Sequence, residues 1–169
     1  MVAVRPTLFL LCGKIASGKS TLAATLAEQP NTLLLKEDQL LATLYPGEIV
    51  TLDDYVRCTL RLRAAIAPHI IALLKRGLSV VLDFQMNTPS ARAWSSRLFK
   101  EAGVDHRLYY LEASDALCKE RLANRNASGD HEYQVSDADY DLFTGYFVPP
   151  SEAEGFQIIV HDQAARGTT

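Results

Sequence analysis

The stretch LFLLCGKIASGKSTLAATLAEQ, residues 8–29, decides how this chain is read. It leaves an apolar run, crosses a segment holding two glycines and two lysines, and enters a helix-like repeat of Leu and Ala. Gly13, four residues, then Gly18, Lys19 and Ser20 follow the spacing of a phosphate-binding loop set between a strand and a helix. A polyphosphate needs converging backbone N–H donors, a cation near its outer phosphates and a hydroxyl to complete a magnesium shell. Gly13 and Gly18 let the backbone curl, Lys19 supplies the cation, Ser20 the hydroxyl, and the dipole of the following helix points at the anion. Gly13, Ala16, Ser17, Gly18, Lys19, Ser20 and Thr21 are the expected nucleotide-binding set, whereas Lys14, off the motif positions, is expected to be solvated.

The rest of the chain alternates in the same way. TLFLLC (7–12), TLLLK (32–36), LSVVLDF (78–84), HRLYYLE (106–112) and FQIIVH (156–161) are strand-length and apolar. Helical stretches lie between them, over 19–28, 38–45, 52–76, 89–102, 114–125 and 136–147. Strand and helix in alternation predict crossover connections and a mainly parallel sheet covered on both faces. Thr88–Pro89 and Ser114 read as helix starts, and Gly77 and Gly103 as helix ends. Pro68, inside the 47–76 region, predicts two helices or one kinked helix. FVPPSEAEG reads as a connector into the last strand.

Composition narrows the class. The 169 residues are 48% hydrophobic and 22% charged, a balance that suits a single compact domain over 1–169. A formal net charge of −3 supplies no basic field, so counterion release does not favour binding to extended nucleic acid. Cys12, Cys58 and Cys118 are odd in number and far apart, which predicts free buried thiols in a reducing compartment. The apolar run near the N-terminus is too short for a secretory core or a spanning helix, so a cytoplasmic protein with no membrane partner is expected.

Other residues suit the remaining chemistry. Asp83 ends an apolar strand where ligands bind in open α/β sheets, and is either a second magnesium anchor of Walker B type or a cap on the next loop. Asp38, after the second strand, suits a base that orients and deprotonates an acceptor hydroxyl, or an N-cap for a helix starting at Gln39; the two roles are compatible. Arg121 and Arg125 share one helix face before a polar loop, either as lid arginines that neutralise a transferred phosphoryl group or as a solvated face. Arg57 and Arg61 read first as a charged helix face, with contact to an anionic or polar acceptor as the alternative. Trp94 and the Tyr109–Tyr110 pair read as core or crevice wall. His69, His106, His131 and His161 have no ligand spacing.

GKIASGKST (13–21), KEDQLLATLYPGE (36–48), GLSVVLDFQMNTPSARAW (77–94) and KERLANRN (119–126) together resemble the small bacterial P-loop kinases often labelled AAA-domain ATP-binding proteins. That group is similar to chloramphenicol phosphotransferase, zeta toxin and the kinase domain of polynucleotide kinase. The resemblance implies a P-loop NTPase fold: a three-layer α/β sandwich with a five-stranded parallel sheet, the Asp83 strand beside the phosphate-loop strand, and a small helical lid over about 121–137. It implies ATP and Mg²⁺ as cofactors, Asp38 as catalytic base, Lys19 and Arg125 as catalytic cations, Ser20 and Asp83 at the metal, and Asn87 and Arg92 as further candidates on the substrate. The expected activity is transfer of the γ-phosphate to a hydroxyl of a small molecule, such as an antibiotic, nucleoside or sugar nucleotide. The alternatives are a nucleotide-sensing or slow ATPase module acting through a protein partner, and a kinase of nucleic acid 5′-hydroxyl ends.

Overall fold

The computed structural model describes residues 4–129 and 134–162. Its elements run β1 (Thr7–Cys12), α1 (Lys19–Ala27), β2 (Thr32–Lys36), α2 (Glu37–Leu44), α3 (Leu52–Lys75), β3 (Ser79–Asp83), α4 (Pro89–Ala102), β4 (Asp105–Glu112), α5 (Asp115–Ser128), α6 (Asp137–Thr144), a 3₁₀ turn over Glu152–Glu154, and β5 (Ile158–Asp162). The five strands are all parallel, in the order β2-β3-β1-β4-β5. The Asp83 strand lies beside the phosphate-loop strand, as expected. His131 and the centre of the expected lid fall outside the described residues.

Alternation along β1 divides the core in two, because successive side chains point to opposite sheet faces. Leu8, Leu10 and Cys12 pack with Ile70 and Leu74 of α3 and Leu98 and Phe99 of α4. Phe9 and Leu11 pack with Ala23 and Leu26 of α1 on the other face. The central strands β1 and β3 are apolar almost throughout because both their faces are covered. Trp94 stacks on Phe84 with centroids 5.9 Å apart, and Tyr109 is buried in the α1 face of the core. Cys12, Cys58 and Cys118 are all buried free thiols, and burial pushes the Cys12 thiol up to about 11. Among the described residues no helix is long and apolar enough to cross a membrane.

Helix boundaries follow the local chemistry. Thr88 and Ser114 accept hydrogen bonds from Ala91 N and Leu117 N as N-caps, and Gly103 closes α4 in the left-handed conformation. Of the two alternatives at Pro68, the single helix holds: α3 runs through it for 24 residues. The carbonyl it deprives of a donor belongs to Ala64, and both residues are exposed, on the solvent side of the helix. Helix α2 starts at Glu37 with Lys36 as its N-cap, so Asp38 is not the cap.

Glu37 is instead buried in an ion pair. Its carboxylate accepts from Arg63 Nε at 2.8 Å and Nη2 at 3.1 Å, and from Gln85 N at 3.4 Å. Arg63 Nη2 also donates to the Gln85 carbonyl at 3.2 Å. One bidentate pair thereby joins the start of α2, the middle of α3 and the exit of β3. Removing one partner of a buried pair leaves the other charge uncompensated, whereas replacing both with apolar groups is far less costly. Glu37→Ala should therefore lower unfolding stability by about 3–5 kcal/mol in urea titration, and Glu37→Met combined with Arg63→Met should recover most of that loss.

Candidate active site

The phosphate loop leaves the carboxyl end of β1 and is too close-packed for side chains at its start. A Cβ on Gly13 would lie 2.5 Å from Ser17 Oγ and 3.0 Å from the Leu111 carbonyl oxygen. Ala16 and Gly18 take positive φ, +60° and +101°, the turns that bring the loop's N–H groups round to one side. From behind, Asn87 Oδ1 accepts from Gly13 N at 3.0 Å and anchors the loop to the β3–α4 connection.

Lys19 Nζ donates to the carbonyls of Gly13 at 2.6 Å and Lys14 at 2.8 Å, across the mouth of the loop. Removal from water lowers its pKa, while Asp83 and Asp38 act in the opposite direction. An anion in the loop would restore what the ammonium loses on desolvation. Ser20 Oγ donates to Asp83 Oδ2 at 2.8 Å. These are two hard oxygen donors side by side at the end of the loop. Among the described residues no three His, Cys, Asp or Glu form a metal cage. Magnesium bound with phosphates does not need one, since it takes one or two protein oxygens and completes its octahedron with phosphate and water. The pair fits that ion.

A cleft of about 880 Å³ opens above these groups, within the range of small-molecule sites, about 300–1,000 Å³. Ala16, Gly18, Lys19, Ser20, Thr21, Asp38, Asp83, Arg121 and Arg125 all line it. Ser17 lies beneath, fully buried, its hydroxyl without a partner. Asp38 reaches the cleft because its neighbour Glu37 is held by Arg63.

Helices α5 and α6 close the other side. Cys118, Leu122 and Tyr140 pack against Ile15 and Ala16 of the loop, and Arg121 Nη1 donates to the Ser17 carbonyl at 3.3 Å. Lys14 is not simply solvated: its Nζ contacts Asp115 Oδ1 at 2.7 Å, and Tyr140 OH donates to the same oxygen at 2.8 Å. Those two hydrogen bonds, from Lys14 and then Tyr140, hold the Asp115 carboxyl below its usual range.

Two expected substrate residues are not brought to the cleft. Arg92 is 1% exposed; its Nε donates to Glu154 Oε1 at 2.8 Å, and its Nη1 to the carbonyls of Met86 at 3.0 Å and Val148 at 2.8 Å. It ties α4 to the Pro-rich connector. Asn87 is spent on Gly13 N and, through its carbonyl, on Val148 N. Arg57 pairs with Asp54 at 3.0 Å, and neither it nor Arg61 lines the cleft. The opposite wall is formed by residues 49–52 and Tyr55, within the 47–76 region, together with Phe143; taken singly these residues carry no motif, so the sequence does not show which of them face the cleft.

The AAA domain family matches residues 8–150. No curated protein is a significant match to the sequence. A candidate kinase from Chloroflexus aurantiacus superposes with a TM-score of 0.75 at 21% identity, covering 98% of this chain and 90% of that one. Kti12 from Chaetomium thermophilum, bound to ADP-AlF3, does so at 0.70 and 14% identity, over 92% and 89%. The APS kinase of Mycobacterium tuberculosis, bound to AMPPNP and APS, does so at 0.61 and 17% identity, over 92% and 88%. At such identities the likeness is one of fold, and the fold is that of the P-loop NTPases. Matched over most of its length, and carrying an intact phosphate loop on that sheet, the chain belongs to the AAA domain family.

Proposed function

We propose that this chain is a phosphotransferase that moves the γ-phosphate of ATP to a hydroxyl of a small molecule. The observation that carries the reading is the meeting of a metal-binding pair, Ser20 Oγ and Asp83 Oδ2 at 2.8 Å, with a second carboxylate, Asp38, on the same cleft. A nucleotide-binding module needs the first. The second suits a base that orients and deprotonates an acceptor hydroxyl. ATP as donor is supported by the family resemblance and by the nucleotides named with two similar folds, ADP-AlF3 and AMPPNP.

In this reading the loop N–H groups and Lys19 bind the outer phosphates, with Lys19 Nζ exchanging its two carbonyl partners for phosphate oxygens. Ser20 and Asp83 would hold Mg²⁺, which when bound would supply positive charge to offset that building on the leaving ADP. Asp38 accepts the acceptor's hydroxyl proton as the new O–P bond forms and the bond from the γ-phosphorus to the bridging oxygen of ADP breaks; the proton leaves later to water. Arg125, with Arg121 beside it on α5, stabilises charge on the phosphoryl oxygens, and the end of α5 that carries them serves in the lid.

The test is ATP turnover with Mg²⁺ against aminoglycosides, chloramphenicol, nucleosides, sugar nucleotides and 5′-hydroxyl oligonucleotides. A phosphorylated product that disappears in Lys19→Ala is expected; tight ATP binding with no transfer to any acceptor would contradict the proposal. Asp38→Asn should lower the transfer rate by roughly 10²–10⁴-fold while its ATP affinity, read by calorimetry, stays near that of the unaltered protein. Asp83→Asn should instead raise the magnesium concentration needed for half-maximal turnover.

A further inference from the structure

The ladder between β2 and β3 ends where Lys36 pairs with Asp83. Beyond that pair the two chains part, one into α2 and the other into the connection to α4. Asp38 and Asp83, the two carboxylates of the proposed reaction, therefore lie where backbone pairing stops fixing one segment against the other. A side chain from α3 takes over there. Arg63 grips the residue before Asp38 and the two residues after Asp83.

Its Nε and Nη2 donate to the two Glu37 carboxylate oxygens at 2.8 and 3.1 Å. Nη2 also donates to the Gln85 carbonyl at 3.2 Å, and Gln85 N closes the ring by donating to Glu37 Oε1 at 3.4 Å. The guanidinium carbon lies 6.0 Å from the centre of the Phe84 ring and 5.4 Å from that of Trp94, and those two rings stack with 6° between their planes. Phe84 and Gln85 line the cleft, whereas Glu37 and Arg63 do not. Stability does not account for a pair this buried, since well-packed apolar residues of similar volume often hold a fold as well or better. What apolar residues do not supply is direction: guanidinium donors lie in one rigid plane and fix both the angle and the distance of their partners.

We propose that Arg63 is a positioning residue for phosphoryl transfer, setting the spacing between Asp38 and Asp83 by holding Glu37 on one side and Phe84 and Gln85 on the other. It acts through these neighbours and touches neither nucleotide nor acceptor. Reaction rates are sensitive to such spacing, because a misplacement of about 1 Å can cost roughly 10²-fold. With Asp83 at the metal and Asp38 at the acceptor hydroxyl, the spacing governs the distance over which the γ-phosphate passes. This inference rests on the kinase reading above and adds to it a residue outside the cleft.

The test compares the whole unaltered protein with Glu37→Met combined with Arg63→Met, which removes both buried charges together. Urea titration reads stability, calorimetry reads affinity for a non-hydrolysable ATP analogue with Mg²⁺, and labelled ATP reads kcat and KM for the phosphorylated member of the acceptor panel above. Stability close to that of the unaltered protein and unchanged nucleotide affinity are expected, with kcat lower by at least about tenfold and KM changed less. Should the double variant fold poorly, Arg63→Lys, which keeps the charge but loses the planar grip, carries the same test. Activity that returns together with stability, or a loss confined to nucleotide affinity, overturns the inference. Crystal structures of the two proteins supply a readout that needs no turnover: the Asp38–Asp83 carboxyl separation should differ by about 1 Å or more, and an unchanged separation overturns the inference. No transfer by the unaltered protein to any acceptor would remove the kinase reading, and the separation alone would then decide whether Arg63 sets the spacing of the two carboxylates.

Discussion

Parallel pairing of β1 with β3, Leu8 against Val80 through Leu10 against Leu82, is the constraint on which the cleft depends. It sets the loop that leaves β1 beside the carboxylate that ends β3, and the 2.8 Å contact between Ser20 and Asp83 follows from that register. The next strand continues the alignment. Lys36, the last residue of β2, pairs with Asp83, so Asp38 emerges two residues further on at the same edge of the sheet. A one-residue slip in either pairing would turn these side chains to the opposite face. The pairing is held by close packing on both faces, Leu8, Leu10, Val80 and Leu82 filling one core and Phe9, Leu11 and Val81 the other.

Around that register the chain spends its buried charges on holding the scaffold. Glu37 and Arg63 fix the start of α2, and so the position of Asp38, without lining the cleft themselves. Arg92 and Glu154 fasten the connector after α6 to α4. Lys14, Asp115 and Tyr140 run from the phosphate loop to α5 and α6, linking the loop to the helices above it. The phosphate loop and the start of α2 are each held by neighbours, Asn87 and Arg63, that do not line the cleft.

The division explains what could be read from sequence. The phosphate loop is legible because its requirements are local: a glycine with no room for a Cβ, positive φ near the turn, and a lysine and a serine at the first helical positions. The strands and helices are legible because apolar period and caps are local too, and Asp83 and Asp38 are legible because strand ends fix them. Arg92 was not. Its partner Glu154 is 62 residues away, and an arginine next to a substrate-like motif reads the same whether it points into the cleft or into the core. The Glu37–Arg63 pair, 26 residues apart, and the tolerance of α3 for Pro68 depend equally on tertiary contact or solvent exposure that the sequence does not display. Which residues of the 47–76 region wall the cleft was not legible for the converse reason: aliphatic and aromatic residues at helical spacing look like core until the fold leaves them at a cleft.

The central claim is that the phosphate loop and Asp38 act on opposite sides of one γ-phosphate. A crystal structure of the protein with Mg²⁺ and a non-hydrolysable ATP analogue tests it most directly. The account predicts the β- and γ-phosphates at Lys19 Nζ, the metal between Ser20 Oγ and the Asp83 side, and the γ-phosphorus facing Asp38 with room for one hydroxyl between them. A nucleotide bound away from the loop, or a γ-phosphate turned from Asp38, would contradict it.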